Sequence, residues 1–309
     1  MDIRTQCAAA VMMIRPAAFD FNAQTAASNR MQSGAVAGTP GAAQLAIAEF
    51  DAAVAALRGA GVWVSVQDDS PTPPKPDAVF PNNWVSWHCD GTVVLYPMEA
   101  ENRRYERRRG LVASVAEDCE YPYRRILDLS GFEQKGRYLE GTGSLVLDHS
   151  GRRAFACRSS RTDENLVRRW ADELGYEPVV FDATDAAGVP YYHTNVMLSI
   201  GCTVAVVATE SIARVDRERV LGLLGEARET IEIDRAAVAG FAGNMLELAT
   251  ATGGTVYALS ASAERNLSPA ARTRLAANTG ALLPIAIPTI ERLGGGSVRC
   301  MIAEVFSPT

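Results

Sequence analysis

The sequence is short of histidine, has no paired cysteine spacing and carries no excess of positive charge. Only three histidines occur among 309 residues. The six cysteines, at positions 7, 89, 119, 157, 202 and 300, include no CxxC, and no HxxxH accompanies them. Neither a zinc site nor a disulfide framework is therefore indicated, and a reduced, cytoplasmic protein is the expectation. With 36 acidic against 30 basic residues the net charge is −6, which argues against the basic stripe of a nucleic-acid surface. No apolar run is long enough to span a bilayer. The opening "MDIRTQCAAAVMMIRP", with Asp2 and a short apolar stretch, does not read as a signal peptide. What is present is ordinary globular composition, 48% hydrophobic and 21% charged, ample for a large core.

One local pattern recurs along the chain: an amphipathic helix, a glycine or turn, then a short β-rich strand. In the first copy Phe50, Val54 and Leu57 share a helical face, Gly59 and Gly61 stop the helix, and "VWVSV" follows as a strand. In the second, "YERRRGLVASVAEDC" leads to "RRILDL". The third opens on Asp163 as N-cap, stacks Leu166, Trp170 and Leu174, stops at Gly175 and continues as "EPVVF". The fourth is "DRERVLGLLG" with "TIEI". The fifth opens on Ser268-Pro269 and ends in "ALLPIAI". The copies begin near positions 42, 105, 164, 213 and 269, a period that predicts a structural repeat in one domain spanning 1–309. β-Hairpins such as "SLVLDHSGRRAFAC" and "NVMLSIGCTVAVVA" intervene.

After each copy the chain reaches a polar residue: Asn82 and Asn83 in "FPNNW", Glu140 in "YLEGTGS", His193 and Asn195 in "YYHTN", Asn244 in "AGNMLEL", and Cys300 in "SVRC". If the copies surround a pseudo-fivefold axis, these positions meet at its centre. A thiol needs a hydrogen-bonding or cationic neighbour to become a good nucleophile, and a proton-shuttling histidine needs a third group to hold it. Cys300, His193 and Glu140 can fill those roles. His88 and His149, beside the turns "HCDG" and "HSGR", read as solvated loop residues. The three glycines before "SVRC" read as a flexible hinge, and "NRMQSGAVAGTPG" and "SPTPPKPD" as mobile segments.

Taken together, "RPAAFDFNAQTAASN", "FPNNW", "YLEGTGSLVLD", "ACRSSRT" and "GGGSVRCMIAEVF" resemble the guanidino-group-modifying superfamily, most closely its citrulline-utilisation hydrolase branch. That superfamily includes arginine deiminases, dimethylarginine dimethylaminohydrolases and amidinotransferases. The resemblance covers essentially the whole chain and implies a five-bladed α/β-propeller, the pentein fold. It also implies that Cys300 is the nucleophile, His193 the general acid/base and Glu140 its carboxylate. Arg161 in "SSRT", and Arg103 in "ENRRYERR", would hold the substrate carboxylate, although Arg103 stands in an arginine-rich helix start that would be solvated anyway. No metal and no organic cofactor is implied. The expected partner is a small amino-acid substrate, with no nucleic acid or membrane, and a homo-oligomer is left open.

The chain departs from the deiminase pattern at Asn83 and Asn195, where enzymes acting on cationic guanidinium groups place aspartates. Amides donate as well as accept and bring no charge, which suits a neutral ureido group. A covalent hydrolysis of citrulline to ornithine, ammonia and carbon dioxide follows as the expected reaction. Two alternatives stay open: a deiminase or amidinotransferase acting on a guanidine, and a non-catalytic ribosome-binding protein on the same fold.

Overall fold

The computed structural model describes residues 3–34 and 38–308. Five three-stranded sheets organise it. In the third, strands Val146–Asp148 and Arg153–Cys157 form an antiparallel hairpin, and Glu177–Phe181 joins the second of them in parallel. The crossover between the parallel pair is the helix Glu164–Leu174, whose Leu166, Val167, Trp170, Ala171 and Leu174 are buried. Its ends are those the sequence signals. Asp163 accepts a hydrogen bond from the Leu166 amide at 3.0 Å, and Gly175 takes the left-handed conformation at φ 69°.

The second, fourth and fifth sheets repeat this plan, with crossover helices Arg109–Asp118, Arg214–Gly225 and Pro269–Asn278. The first sheet is built from both ends of the chain. Ala10–Arg15 pairs in parallel with Trp63–Asp68 through the helix Ala42–Gly59, while Ala303–Val305 supplies the antiparallel partner. This pairing closes the ring, because the last strand takes the place that the first hairpin strand holds in every other sheet. The positions just before these strands are therefore equivalent: Asn83 before Val85, Asn195 before Leu198, Asn244 before Leu246 and Cys300 before Ala303. The five-bladed α/β-propeller that the family resemblance implies is the fold observed, and the repeat read from the sequence is its five sheets.

Four expectations are corrected. The second helix begins at Arg109, not near 105, because residues Glu101–Glu106 form a 3-10 helix that turns the Arg103 side chain inward. His88 and His149 are buried: Ser86 Oγ lies 2.8 Å from His88 Nε2, and Tyr176 OH 2.8 Å from His149 Nδ1. Burial lowers the His88 pKa to about 4 and that of His149 well below its usual value. The glycines before Cys300 are no hinge: a side chain on Gly296 would stand 2.9 Å from the Phe80 ring, so the segment is packed. In "SPTPPKPD", Lys75 is buried and pairs with Asp69 at 3.0 Å. In "NRMQSGAVAGTPG", Asn29 donates to the Gly294 carbonyl and Gln32 to that of Leu293, while residues 35–37 lie outside the described residues.

Candidate active site

The equivalent loops converge as their spacing predicts. Glu140 is fully buried, and His193 Nε2 stands 2.8 Å from its Oε2. Its Oε1 also accepts from the Glu99 amide at 3.0 Å. Burial opposes ionisation of Glu140, but Arg161, the His193 hydrogen bond and Arg103 together hold its carboxyl below the usual carboxylate range. An ionised Glu140 only accepts, so Nε2 of His193 carries the proton and Nδ1 keeps its lone pair. Burial lowers the His193 pKa to about 4 against the opposing pull of Glu140, with Arg161 and Arg103 adding to the lowering. The imidazole is neutral at pH 7.

The "EGTG" turn makes this approach possible. A Cβ on Gly143 would lie 2.5 Å from Asn83 Nδ2 and 2.7 Å from His193 Nδ1, so only glycine lets these two side chains crowd together. Tyr192 packs its ring against that of His193 at a 51° tilt, with centroids 4.7 Å apart, and donates to the Gly295 carbonyl at 2.7 Å, tying the histidine loop to the one carrying Cys300.

Cys300 is buried in the short 3-10 helix Val298–Met301. Two amides surround its sulfur: Asn244 Nδ2 at 3.3 Å and Asn195 Nδ2 at 3.7 Å. Asn244 also donates to the Asn195 carbonyl at 3.0 Å, which fixes its amide. The sequence placed Asn244 at an equivalent position without a role; the fold sets it against the thiol.

The two asparagines singled out in the sequence are oriented in opposite senses. Arg103 Nη1 donates to Asn83 Oδ1 at 2.8 Å, leaving Asn83 Nδ2 as a buried donor with no partner among the described residues. Asn195 turns its Nδ2 toward the sulfur and keeps Oδ1 as a buried, unpartnered acceptor. Arg103 is buried rather than solvated. Its Nε and Nη2 grip both oxygens of Glu106 at 2.9 Å, and Nη2 also reaches the Phe80 carbonyl at 3.2 Å. This two-pronged pair, made at i,i+3 within the 3-10 helix, holds Arg103 inward. Arg161 bonds Ser28 Oγ at 2.7 Å, the Thr25 carbonyl at 3.1 Å and Glu140 Oε2 at 3.4 Å.

Two participants escaped the sequence reading. Asp77, buried six residues before Asn83, lines the same cavity as Asn83, Arg103, Arg161, His193 and Cys300 and has an unpartnered Oδ1. Burial raises its pKa, with Arg103 opposing. A carboxylate this close to "FPNNW" was the available signal, hidden in a proline-rich stretch that read as a mobile loop. The second is the segment 22–33, which covers Arg161 with Thr25 and Ser28. The cavity these residues line has a volume of only about 10 Å³, room for one water-sized molecule.

Comparison with known proteins agrees with this architecture. A family model described as N,N dimethylarginine dimethylhydrolase, eukaryotic, matches residues 15–307. No curated protein sequence matches the chain. The N-terminal domain of ArgZ, a cyanobacterial arginine dihydrolase of the ornithine–ammonia cycle, is similar with a TM-score of 0.73 at 16% identity, over 97% of this chain and 98% of that one. Against the longer apo ArgZ chain, the coverage of that protein falls to 41%. Unliganded AgrE gives a TM-score of 0.76 at 18% identity, covering 97% of this chain and 39% of that one. DDAH from Pseudomonas aeruginosa, as a Cys-to-Ser variant complexed with citrulline, gives 0.67 at 14% identity over 96% and 99%. At these identities the structures speak to the fold, whereas the family model speaks to descent over nearly the whole length. The chain therefore belongs to the N,N-dimethylarginine dimethylhydrolase family, a hydrolase family within the guanidino-group-modifying pentein superfamily.

Proposed function

We propose that the protein hydrolyses the ureido group of citrulline through a covalent intermediate on Cys300, giving ornithine, ammonia and carbon dioxide. The observation that carries this reading is the opposed orientation of the two asparagines. A ureido group presents a carbonyl acceptor on one side and an N–H donor on another. Asn83 offers it a donor and Asn195 an acceptor. A guanidinium presents only donors, so the Asn83 N–H would face another N–H. Flipping Asn83 does not relieve this, because Arg103 cannot accept a hydrogen bond from the turned amide.

In this mechanism the neutral His193 takes the Cys300 proton through Nδ1 as the thiolate attacks the ureido carbon. Asn244 and Asn195 stabilise the developing charge on sulfur. His193 then protonates the departing nitrogen, and Glu140 steadies the imidazolium in between. Water activated by the same imidazole hydrolyses the thioester. If the ornithine nitrogen leaves first, water releases carbamate, which decomposes to ammonia and carbon dioxide. If ammonia leaves first, water releases N-carboxyornithine, which loses carbon dioxide, so citrulline and water sum to ornithine, ammonia and carbon dioxide either way. Arg161 holds the substrate carboxylate once Ser28 has been displaced from it. With its N–H groups engaged by Glu106, Asn83 and Phe80, Arg103 is a positioning residue for Asn83 rather than a direct substrate ligand.

One observation favours a guanidine substrate instead. The free oxygen of Asp77 could accept from a guanidinium and supply the missing charge, as the dimethylarginine family name suggests. The experiment that decides compares kcat/KM for citrulline, arginine and N,N-dimethylarginine, following ornithine and ammonia together. A mispaired buried donor costs about 1–3 kcal/mol, so citrulline should be favoured by about 10- to 100-fold. A preference for either guanidine would transfer the role to Asp77 and overturn the ureido reading.

A further inference from the structure

Away from the cavity, the fold assembles a second sulfur-rich cluster from three distant segments. Cys7 follows the short helix Ile3–Gln6, Cys202 sits in the turn after strand Leu198–Ile200 of the fourth sheet, and Glu247 lies in strand Leu246–Ala249 of the fifth. Cys7 Sγ and Cys202 Sγ are 3.1 Å apart, and one ligand atom from each of the three residues lies within 4.8 Å of the other two. All three are buried, with exposures of 1%, 8% and 3%. The adjoining guanidinium is already committed: Arg228 pairs with Asp148 at 2.7 Å and donates to the Gly201 carbonyl at 2.6 Å. Glu247 accepts from the Cys202 amide at 2.6 Å and has no ion-pair partner among the described residues.

We propose that Cys7, Cys202 and Glu247 form a binding site for a divalent, borderline-soft metal ion of the zinc type. Two thiolates and a carboxylate are a donor set that such an ion takes readily. On a tetrahedral ion with metal–sulfur bonds of about 2.3 Å, two sulfurs sit about 3.8 Å apart, so the pair must open by about 0.7 Å. A disulfide at about 2.05 Å would need a closure of about 1 Å and would leave Glu247 without a part. The ion enters as both thiols release their protons, giving two thiolates, one carboxylate and a divalent cation. The fourth position falls to solvent or to the Ile3 carbonyl, 3.9 Å from Cys202 Sγ. A bound ion would tie the N-terminal segment to the fourth and fifth sheets. Gln6 already reaches the fourth sheet, donating to the Ile200 carbonyl at 3.4 Å.

The test uses the full chain, reduced and stripped with chelator, carrying Cys300→Ala so that the catalytic thiol does not compete for metal. Titration with cobalt(II) should reach one equivalent per chain and produce sulfur-to-metal charge-transfer absorbance in the near ultraviolet, with zinc displacing the cobalt. Adding Cys202→Ser should abolish that absorbance and weaken binding by on the order of 100-fold or more, since even indirect partners of metal ligands cost about 10–100-fold. Glu247→Gln keeps the acceptor for the Cys202 amide. It should retain the absorbance while weakening binding by roughly 10-fold, which keeps the test valid if circular dichroism shows that Cys202→Ser does not fold. No charge-transfer band, or binding unchanged in both variants, overturns the proposal. So does a pair that loses two titratable thiols on exposure to a small disulfide, regains them with reductant and takes up no cobalt when reduced.

Discussion

The strand Leu198–Ile200 separates two buried thiol environments, with Asn195 and the Cys300 site before it and Cys202 with Cys7 after it. Around Cys300 the hydrogen-bond partners of the sulfur among the described residues are the amides of Asn195 and Asn244, and a neutral imidazole and two guanidiniums line the same cavity. Around Cys7 the neighbours are another thiol and a carboxylate. The Cys202 hydrogen bond, burial and Glu247 push the Cys7 thiol far above its usual range. The same atom type thus faces hydrogen-bond donors in one place and a thiol with a carboxylate in the other. Both sulfurs are almost equally hidden, so the two sites differ in the groups set against them: asparagine amides at Cys300, a second thiol and a carboxylate at Cys7.

The sharpest way to break this comparison is to exchange the thiols' importance. Cys300→Ala should remove ureido hydrolysis entirely while leaving the circular dichroism spectrum unchanged, whereas Cys7→Ser should leave kcat/KM within about twofold of the parent. Turnover surviving the first change would end the covalent mechanism. Next in size, Glu140→Gln keeps the shape but removes the charge that supports the imidazolium, and kcat should fall by roughly 10²–10⁴. Losing that carboxylate also lowers the His193 pKa further, so the acid limb of kcat/KM moves down in pH. A parent-like rate would remove Glu140 from the catalytic group and leave it the structural role of accepting from the Glu99 amide.

The substrate argument gives an intermediate effect. Asn83→Asp with Asn195→Asp sets lone pairs against the ureido oxygen and favours a guanidinium, so the ratio of kcat/KM for citrulline to that for arginine should drop by about 10- to 100-fold. An unchanged ratio would mean that the amides do not read substrate charge.

The pH dependence sharpens the comparison through histidine. His193 and His88 are held at about 4 when folded, against about 6.5 when unfolded. The unfolded chain binds more protons in that window, so stability is full above pH 6.5 and is lost as pH falls toward 4. Each contributes about 3 kcal/mol across the window. Urea unfolding at pH 7 and pH 4.5 checks this in the parent and in His88→Gln, which should lose part of the slope. The activity profile should correspondingly show no inflection near pH 6.5. The smallest effect belongs to the scaffold: Asp163→Ala removes one helix cap and should cost about 1 kcal/mol by the same unfolding measurement, with kcat/KM unaltered.

Much of this arrangement was legible in local pattern. The helix faces of Phe50, Val54 and Leu57 and of Leu166, Trp170 and Leu174, the caps Asp163 and Ser268, and the period of the copies follow from short-range rules. The period in turn brings Glu140, His193 and Cys300 together. Charged and polar residues whose partners lie far away in sequence misled the reading. Arg103, His88, His149 and Lys75 all sit in polar, turn-rich surroundings that signal exposure, yet each is buried against a partner that local sequence does not name.

By itself the sequence determined the repeat, the helix ends at Gly59, Asp163, Gly175 and Ser268 and the residue types offered to the axis, because periodicity, capping and turn chemistry act over a few residues. Only the tertiary structure decided which atom of each amide faces inward, that Asp77 joins the site, and that Cys7, Cys202 and Glu247 meet at all. Those outcomes depend on contacts closed over tens to hundreds of residues. Arg103 must reach across to Asn83 before that side chain has a direction, and the last strand must pair with the first before Cys300 has neighbours.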